Sequence, residues 1–129
     1  RDVFERGLAE TRDHTGMTLA LAVNYGGRAE ITRAVRHIAE AVSAGDIAVG
    51  QIDDALVADH LYTAGLPDPE LVIRTSGELR VSNYLLWQIA YSEFYITDTY
   101  WPDFDRWGLV RAIASFQGRD RRFGGLSRA

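Results

Sequence analysis

The 129-residue sequence contains no cysteine and no lysine, and only one methionine and three prolines. Without cysteine there is no disulfide scaffold, no thiol nucleophile and no zinc site built on thiolates. Without lysine, all 14 fixed positive side chains are arginines, each a planar, forked donor suited to phosphate or carboxylate. No apolar run approaches the ~20 residues that span a bilayer; Leu19–Val23 is the longest clean stretch. No secretory signal pattern opens the chain, so a cytoplasmic setting is expected. Acidic residues outnumber basic ones by 18 to 14, giving a net charge of −4. That is the wrong sign for a general nucleic-acid binder.

What is there is a globular composition, 47% hydrophobic and 25% charged, at the length of one domain that buries a core. Phe4 and Leu8 mark a weak helical stripe in Arg1–His14, read as the tail of an amphipathic helix that starts before the chain does. Met17–Asn24 is aliphatic enough for a strand buried on both faces. From Ala29, the apolar positions Ile31, Ala34, Val35, Ile38 and Val42 fall at helical spacing, with Glu30, Arg33, Arg36 and Glu40 opposite and Gly45 at the stop. A second helix is expected over Gln51–Tyr62, with Asp53 and Asp54 in its first turn. Pro67-Asp68-Pro69 is a breaker. A brief strand, Leu71–Ile73, follows, then a loop, Arg74–Ser82, a buried helix over Asn83–Tyr91 and a strand over Phe94–Ile96. Asp103 is expected to cap a last helix that carries Phe104, Trp107, Val110 and Ile113 and stops at Gly118. Strands alternating with helices predict an α/β domain, a parallel sheet with helices on both faces.

In an open parallel sheet, ligands collect at the carboxyl ends of the strands. The loop Arg74-Thr75-Ser76-Gly77-Glu78-Leu79-Arg80-Val81-Ser82 leaves such an end, with two arginines six residues apart and a serine placed to cap the next helix. Two guanidinium groups, a hydroxyl and a helix start suit a diphosphate better than a single carboxylate. The plain alternative is a pair of solvated loop arginines, a capping serine and a turning glycine. Glu93, at the next junction, is a candidate Mg²⁺ ligand, since that ion takes one or two carboxylates and completes its shell with water and phosphate oxygens. Its plain alternative is a structural carboxylate paired with a loop arginine. Arg28 follows the glycine turn Tyr25-Gly26-Gly27. His14, His37 and His60 lack metal-ligand spacing and are read as surface residues. The tail Arg119–Gly125 is basic with two glycines.

The stretch Leu71–Glu93 (LVIRTSGELRVSNYLLWQIAYSE) closely resembles the signature of the cis-prenyltransferases, the undecaprenyl diphosphate synthase family. Asn24–Arg28 (NYGGR), Trp101–Asp105 (WPDFD) and Arg121–Gly124 (RRFG) resemble further family motifs, and the likeness runs in order from about residue 17 to 125. It implies a Mg²⁺-dependent transferase that condenses isopentenyl diphosphate with an allylic diphosphate, farnesyl or geranyl, in cis configuration. The expected product is a polyprenyl lipid carrier for cell-wall synthesis. By the same likeness Arg74, Arg80, Val81 and Ser82 match positions that hold isopentenyl diphosphate, and Glu93 matches a metal carboxylate. Gly124, in the R-x-G tail with Arg122, matches a residue that reaches across a homodimer. Peripheral membrane contact through a lipid product is a further implication. Nothing in residues 1–129 matches the family's opening Asp-Gly-Asn-Arg motif, so the whole chain reads as the carboxyl-terminal part of one catalytic domain. The rival readings are a non-catalytic partner subunit of a heteromeric enzyme and an unrelated α/β phosphate-binding domain.

Overall fold

A computed structural model describes residues 2–119. Four helices and two strands follow in the order α1 (Asp2–Thr11), α2 (Gly27–Ala44), α3 (Asp54–Asp59), β1 (Leu71–Arg74), β2 (Glu93–Ile96) and α4 (Arg106–Gln117). Short 3-10 turns occupy Val49–Gln51 and Trp101–Asp103.

β1 and β2 pair in parallel, Leu71 opposite Glu93 and Arg74 opposite Ile96. Side chains alternate across a strand, so Leu71, Ile73, Glu93 and Tyr95 share one face, and Val72, Arg74, Phe94 and Ile96 the other. α4 packs on β2. Its N-cap is Asp105, whose carboxylate accepts from the Gly108 N–H at 2.8 Å. Asp103, expected in that role, lies instead in the 3-10 turn before it. Phe104 stacks on Trp101 with centroids 6.1 Å apart. A side chain at Gly108 would come within 2.9 Å of the Phe104 ring, so only glycine lets the helix close over it.

α2 ends where the pattern places its stop. Gly45 is left-handed, with φ of 82°, and its N–H returns to the last turn, the conformation glycine adopts at lowest cost. The buried line of α2, however, is Gly27, Glu30, Ala34 and Ile38. Burying Ile38 contributes about 2 kcal/mol. Glu30, which the pattern assigns to the polar face, is wholly buried. α3 is shorter than expected. Asp53 caps it by accepting from the Leu56 N–H at 2.8 Å, and extended backbone at Ile52 separates it from the turn before.

Two expected elements do not form. Met17–Asn24 pairs with no strand among the described residues, and Met17, Leu19, Leu21 and Val23 are exposed; an apolar run becomes a buried strand only where a neighbour supplies its hydrogen bonds. Asn83–Tyr91 is a series of turns and not a helix. Ser82, Asn83 and Leu85 have φ of 54°, 60° and 43°, and a right-handed helix cannot run through left-handed backbone.

Candidate functional site

Arg74 ends β1 and opens the arginine loop. Its carbonyl accepts from the Thr97 N–H at 2.9 Å. Its side chain is half-buried, and the buried Nε has no hydrogen-bond partner among the described residues. Such a donor is costly to leave unmade unless something arrives to take it. The loop then turns sharply. Ser76 and Gly77 have φ of 62° and 64°, and their N–H groups donate to the Thr99 and Thr97 carbonyls at 2.9 Å each. Those amides are spent on the segment after β2 and do not face an anion. A Cβ at Gly77 would meet the Asp98 carboxylate at 3.0 Å in an unfavourable backbone region.

Arg80 is two-thirds exposed and forms an ion pair with Glu78. A surface pair of this kind contributes little and leaves the guanidinium available. Val81 is half-buried and Ser82 exposed. Ser82 caps no helix, because none follows it. The anion-binding chemistry of the loop therefore rests on two guanidinium groups and a hydroxyl.

Glu93 is not beside that loop. It starts β2, about 10 Å from the level of Arg74 at ~3.3 Å per residue, and it belongs to the opposite face of the sheet. Its Oε2 accepts from Arg119 at 2.7 Å, both side chains being about one-third exposed. Glu93 thus pairs with an arginine, but with Arg119 after α4 and not with an arginine of the Arg74–Ser82 loop. A cleft of about 510 Å³ on Glu93's face is lined by Leu71, Ile73, Trp101, Phe104 and Leu109 together with Asp105 and Arg106. None of the arginine-loop residues reaches it. Gly124 lies outside the described residues, as do Arg121 and Arg122. His60 is half-buried, its ring nitrogen 2.7 Å from the Leu56 carbonyl, while His14 and His37 are exposed as expected.

Sequence reasoning missed a second polar centre. The Glu30 carboxyl accepts from the Tyr62 N–H at 2.7 Å, from Gln88 Nε2 at 3.2 Å and from the Tyr25 hydroxyl. Gln88 also donates to Thr63 Oγ1 at 2.9 Å. Burial, and then the hydrogen bond to Glu30, push the Tyr25 phenol well above its ordinary value. Tyr25 sits edge-on to Tyr62 and Tyr84. Arg33 lies over the Tyr62 ring at 4.5 Å and donates to the His60 carbonyl at 2.9 Å. The one signal for this cluster in the sequence is the NYGGR turn that delivers Tyr25 to the start of α2.

The fold and the loop together define a parallel α/β domain that offers, at a strand's carboxyl end, an arginine whose Nε has no hydrogen-bond partner among the described residues, an arrangement suited to an oxyanion. The family model for undecaprenyl diphosphate synthase matches residues 1–124. The chain is 53% identical to an isoprenyl transferase of Streptococcus thermophilus, over 97% of this chain and 52% of that protein. It is 52% identical to an isoprenyl transferase of Heliobacterium mobile, over 98% of this chain and 48% of that one. Among solved structures, lavandulyl diphosphate synthase from Lavandula x intermedia, crystallised with dimethylallyl diphosphate, matches with a TM-score of 0.90 and 41% identity, covering 95% of this chain and 53% of that one. A probable undecaprenyl diphosphate synthase from Campylobacter jejuni matches at 0.74 and 28%, covering 96% and 57%. This chain belongs to the undecaprenyl diphosphate synthase family of prenyltransferases. It spans about half the length of the curated relatives it matches. No helix among the described residues is long and apolar enough to cross a membrane.

Proposed function

We propose that the chain is the carboxyl-terminal part of an isoprenyl transferase, with Arg74, Arg80, Val81 and Ser82 forming the site for the diphosphate of isopentenyl diphosphate. The observation that carries this reading is the buried Nε of Arg74 at the carboxyl end of β1, which has no hydrogen-bond partner among the described residues. In the reaction, the terminal alkene carbon of isopentenyl diphosphate attacks C1 of an allylic diphosphate. The allylic C–O bond breaks, diphosphate leaves with the electron pair, positive charge falls on C3 of the isopentenyl unit, and a proton passes from its C2 to the released diphosphate or water to complete a cis C2=C3 double bond. Charge is already dense on the nucleophilic substrate, so the chain's task is to bind and orient that substrate through its diphosphate. Arg74 would fix the group against the sheet, Arg80 would exchange Glu78 for a phosphate oxygen, and the Ser82 hydroxyl would donate to another.

Mg²⁺ belongs to the same reading. The Glu93 carboxylate is a hard oxygen donor that already accepts a cation, Arg119, and such a group fits an ion that takes one or two carboxylates along with water and phosphate. Glu93 would hold the ion on the face of the sheet opposite Arg74, so the charge it would offset when bound is that of the second, allylic diphosphate and not of the one at the arginine loop. The reading also includes a homodimer in which the Arg122-Phe123-Gly124 tail of one copy reaches the active site of the other, a long polyprenyl product that serves cell-wall synthesis, and contact with the bilayer through that product.

The test uses the full-length protein with farnesyl diphosphate and labelled isopentenyl diphosphate, first with Mg²⁺ and then with EDTA. Mg²⁺-dependent label in the organic extract is the expected result. No incorporation from a folded protein over a range of allylic primers would overturn the enzyme reading in favour of a non-catalytic partner subunit.

A further inference from the structure

The residues that would hold the diphosphate at Arg80 and Ser82 are exposed, and little of their own segment fixes them. Among the described residues, the hydrogen bonds that tie residues 79–83 to another element are the two that Asn83 accepts. Its carbonyl takes the Gly27 N–H at 2.8 Å and its Oδ1 takes the Arg28 N–H at 2.9 Å. α2 needs them: its N-cap is Gly26, which has no side chain to offer the free amides of the first turn. Asn83 supplies, from 55 residues further along the chain than Arg28, what a local serine or aspartate normally supplies.

The contact is closed on both sides. A Cβ at Gly26 would come within 3.0 Å of Asn83 Nδ2. At Gly27 it would meet Leu86 Cγ at 2.9 Å and the Asn83 carbonyl at 3.2 Å. The glycine pair of the NYGGR turn is what lets the two segments approach. Asn83 is itself left-handed, with φ of 60°, directly after Ser82 at 54°. Asparagine tolerates that backbone region better than most residues. The far end of the same turn is held by Gln88, bound to Glu30 and Thr63.

We propose that Asn83 is a positioning residue for the diphosphate site, capping the first turn of α2 with its own backbone and side chain and so fixing where Val81 and Ser82 stand. This rests on the reading of Arg80–Ser82 as that site. Asn83 touches no substrate; it acts through the serine beside it.

The experiment measures steady-state kinetics of the full-length protein for Asn83→Gly, with Arg80→Ala as a companion. Glycine removes Oδ1 but leaves the left-handed backbone unstrained, so any effect belongs to the side chain and not to φ. The KM for isopentenyl diphosphate is expected to rise about tenfold or more, as for a small displacement of a binding group. The KM for the allylic diphosphate and kcat at saturation should stay within about twofold. A parallel shift of all three constants would mean a purely structural role and overturn the proposal. If Asn83→Gly leaves the isopentenyl diphosphate KM unchanged while Arg80→Ala raises it, the positioning role falls and the site reading stands. If Arg80→Ala leaves it unchanged too, the site reading falls and takes this proposal with it. Should Asn83→Gly not fold, Asn83→Ser, which shortens the acceptor, is judged by the same three constants.

Discussion

Glu30 and Arg74 are both ionisable side chains drawn out of water, and the molecule treats them in opposite ways. Glu30 is wholly buried and accepts from a backbone amide, an amide side chain and a phenol. Arg74 is half-buried, and its Nε has no partner among the described residues. A buried polar group that is fully satisfied makes a structure rigid and specific, whereas one left unsatisfied raises the energy of the empty site until a ligand completes it. The first region is a clasp that joins α2, the chain around Tyr62 and the turn after Ser82. The second stands apart from it, at the carboxyl end of β1.

Substitutions should separate the two regions by which quantity they move. Glu30→Ala takes the acceptor from the Tyr62 N–H and the Tyr25 hydroxyl and leaves Gln88 Nε2 only Thr63, and urea unfolding should show a loss of about 3–5 kcal/mol. A loss under about 1 kcal/mol would mean that water replaces the carboxyl freely and that no clasp exists. Arg74→Ala should do the reverse. The thermal midpoint should stay within a few degrees while kcat/KM falls by roughly two orders of magnitude, ~3 kcal/mol of transition-state stabilisation. Near-normal activity would remove Arg74 from the site. Glu93→Gln should keep the fold, since the exposed pair with Arg119 contributes little, and should raise the Mg²⁺ concentration for half-maximal activity about tenfold. An unchanged Mg²⁺ titration would reduce Glu93 to its pairing with Arg119.

The smallest effect concerns pH. A tyrosine hydroxyl in water gives up its proton near pH 10. Burial, and then Glu30, raise the Tyr25 phenol above that value. The unfolded chain therefore gives up this proton first, so the contribution is complete below about pH 9 and is lost as pH climbs past 10. Tyr25→Phe should lower stability at neutral pH and flatten the decline between about pH 9 and 11. An equally steep decline in the variant would place the phenol in water.

The sequence made some of this legible and hid the rest for physical reasons. β1 and β2 were readable because Leu71–Ile73 and Phe94–Ile96 are short apolar runs between clear breakers, and α2 because its period and Gly45 agree. The loop from Arg74 to Ser82 stood out because two arginines follow a strand directly. Periodicity had no means of showing that Glu30 faces inward, since the donors that make its burial tolerable come from residues 25, 62 and 88. Nor did it reveal the left-handed backbone at Ser82, Asn83 and Leu85, where an apolar segment with a helical composition is bent around the start of α2. Met17–Asn24 has the composition of a buried strand, but composition does not supply a neighbour to pair with. Glu93 stands at the opposite end of the ladder from Arg74 and faces away from it, a consequence of register that only the paired strands reveal.

The account turns on the arginine loop as a diphosphate site. Calorimetric titration of the full-length protein with isopentenyl diphosphate, without an allylic partner, tests that directly. The account predicts one site per chain in the unsubstituted protein, with affinity at least about thirtyfold weaker in both Arg74→Ala and Arg80→Ala, ~2 kcal/mol per charge-assisted contact. Binding within about twofold of the unsubstituted protein in both variants would contradict it.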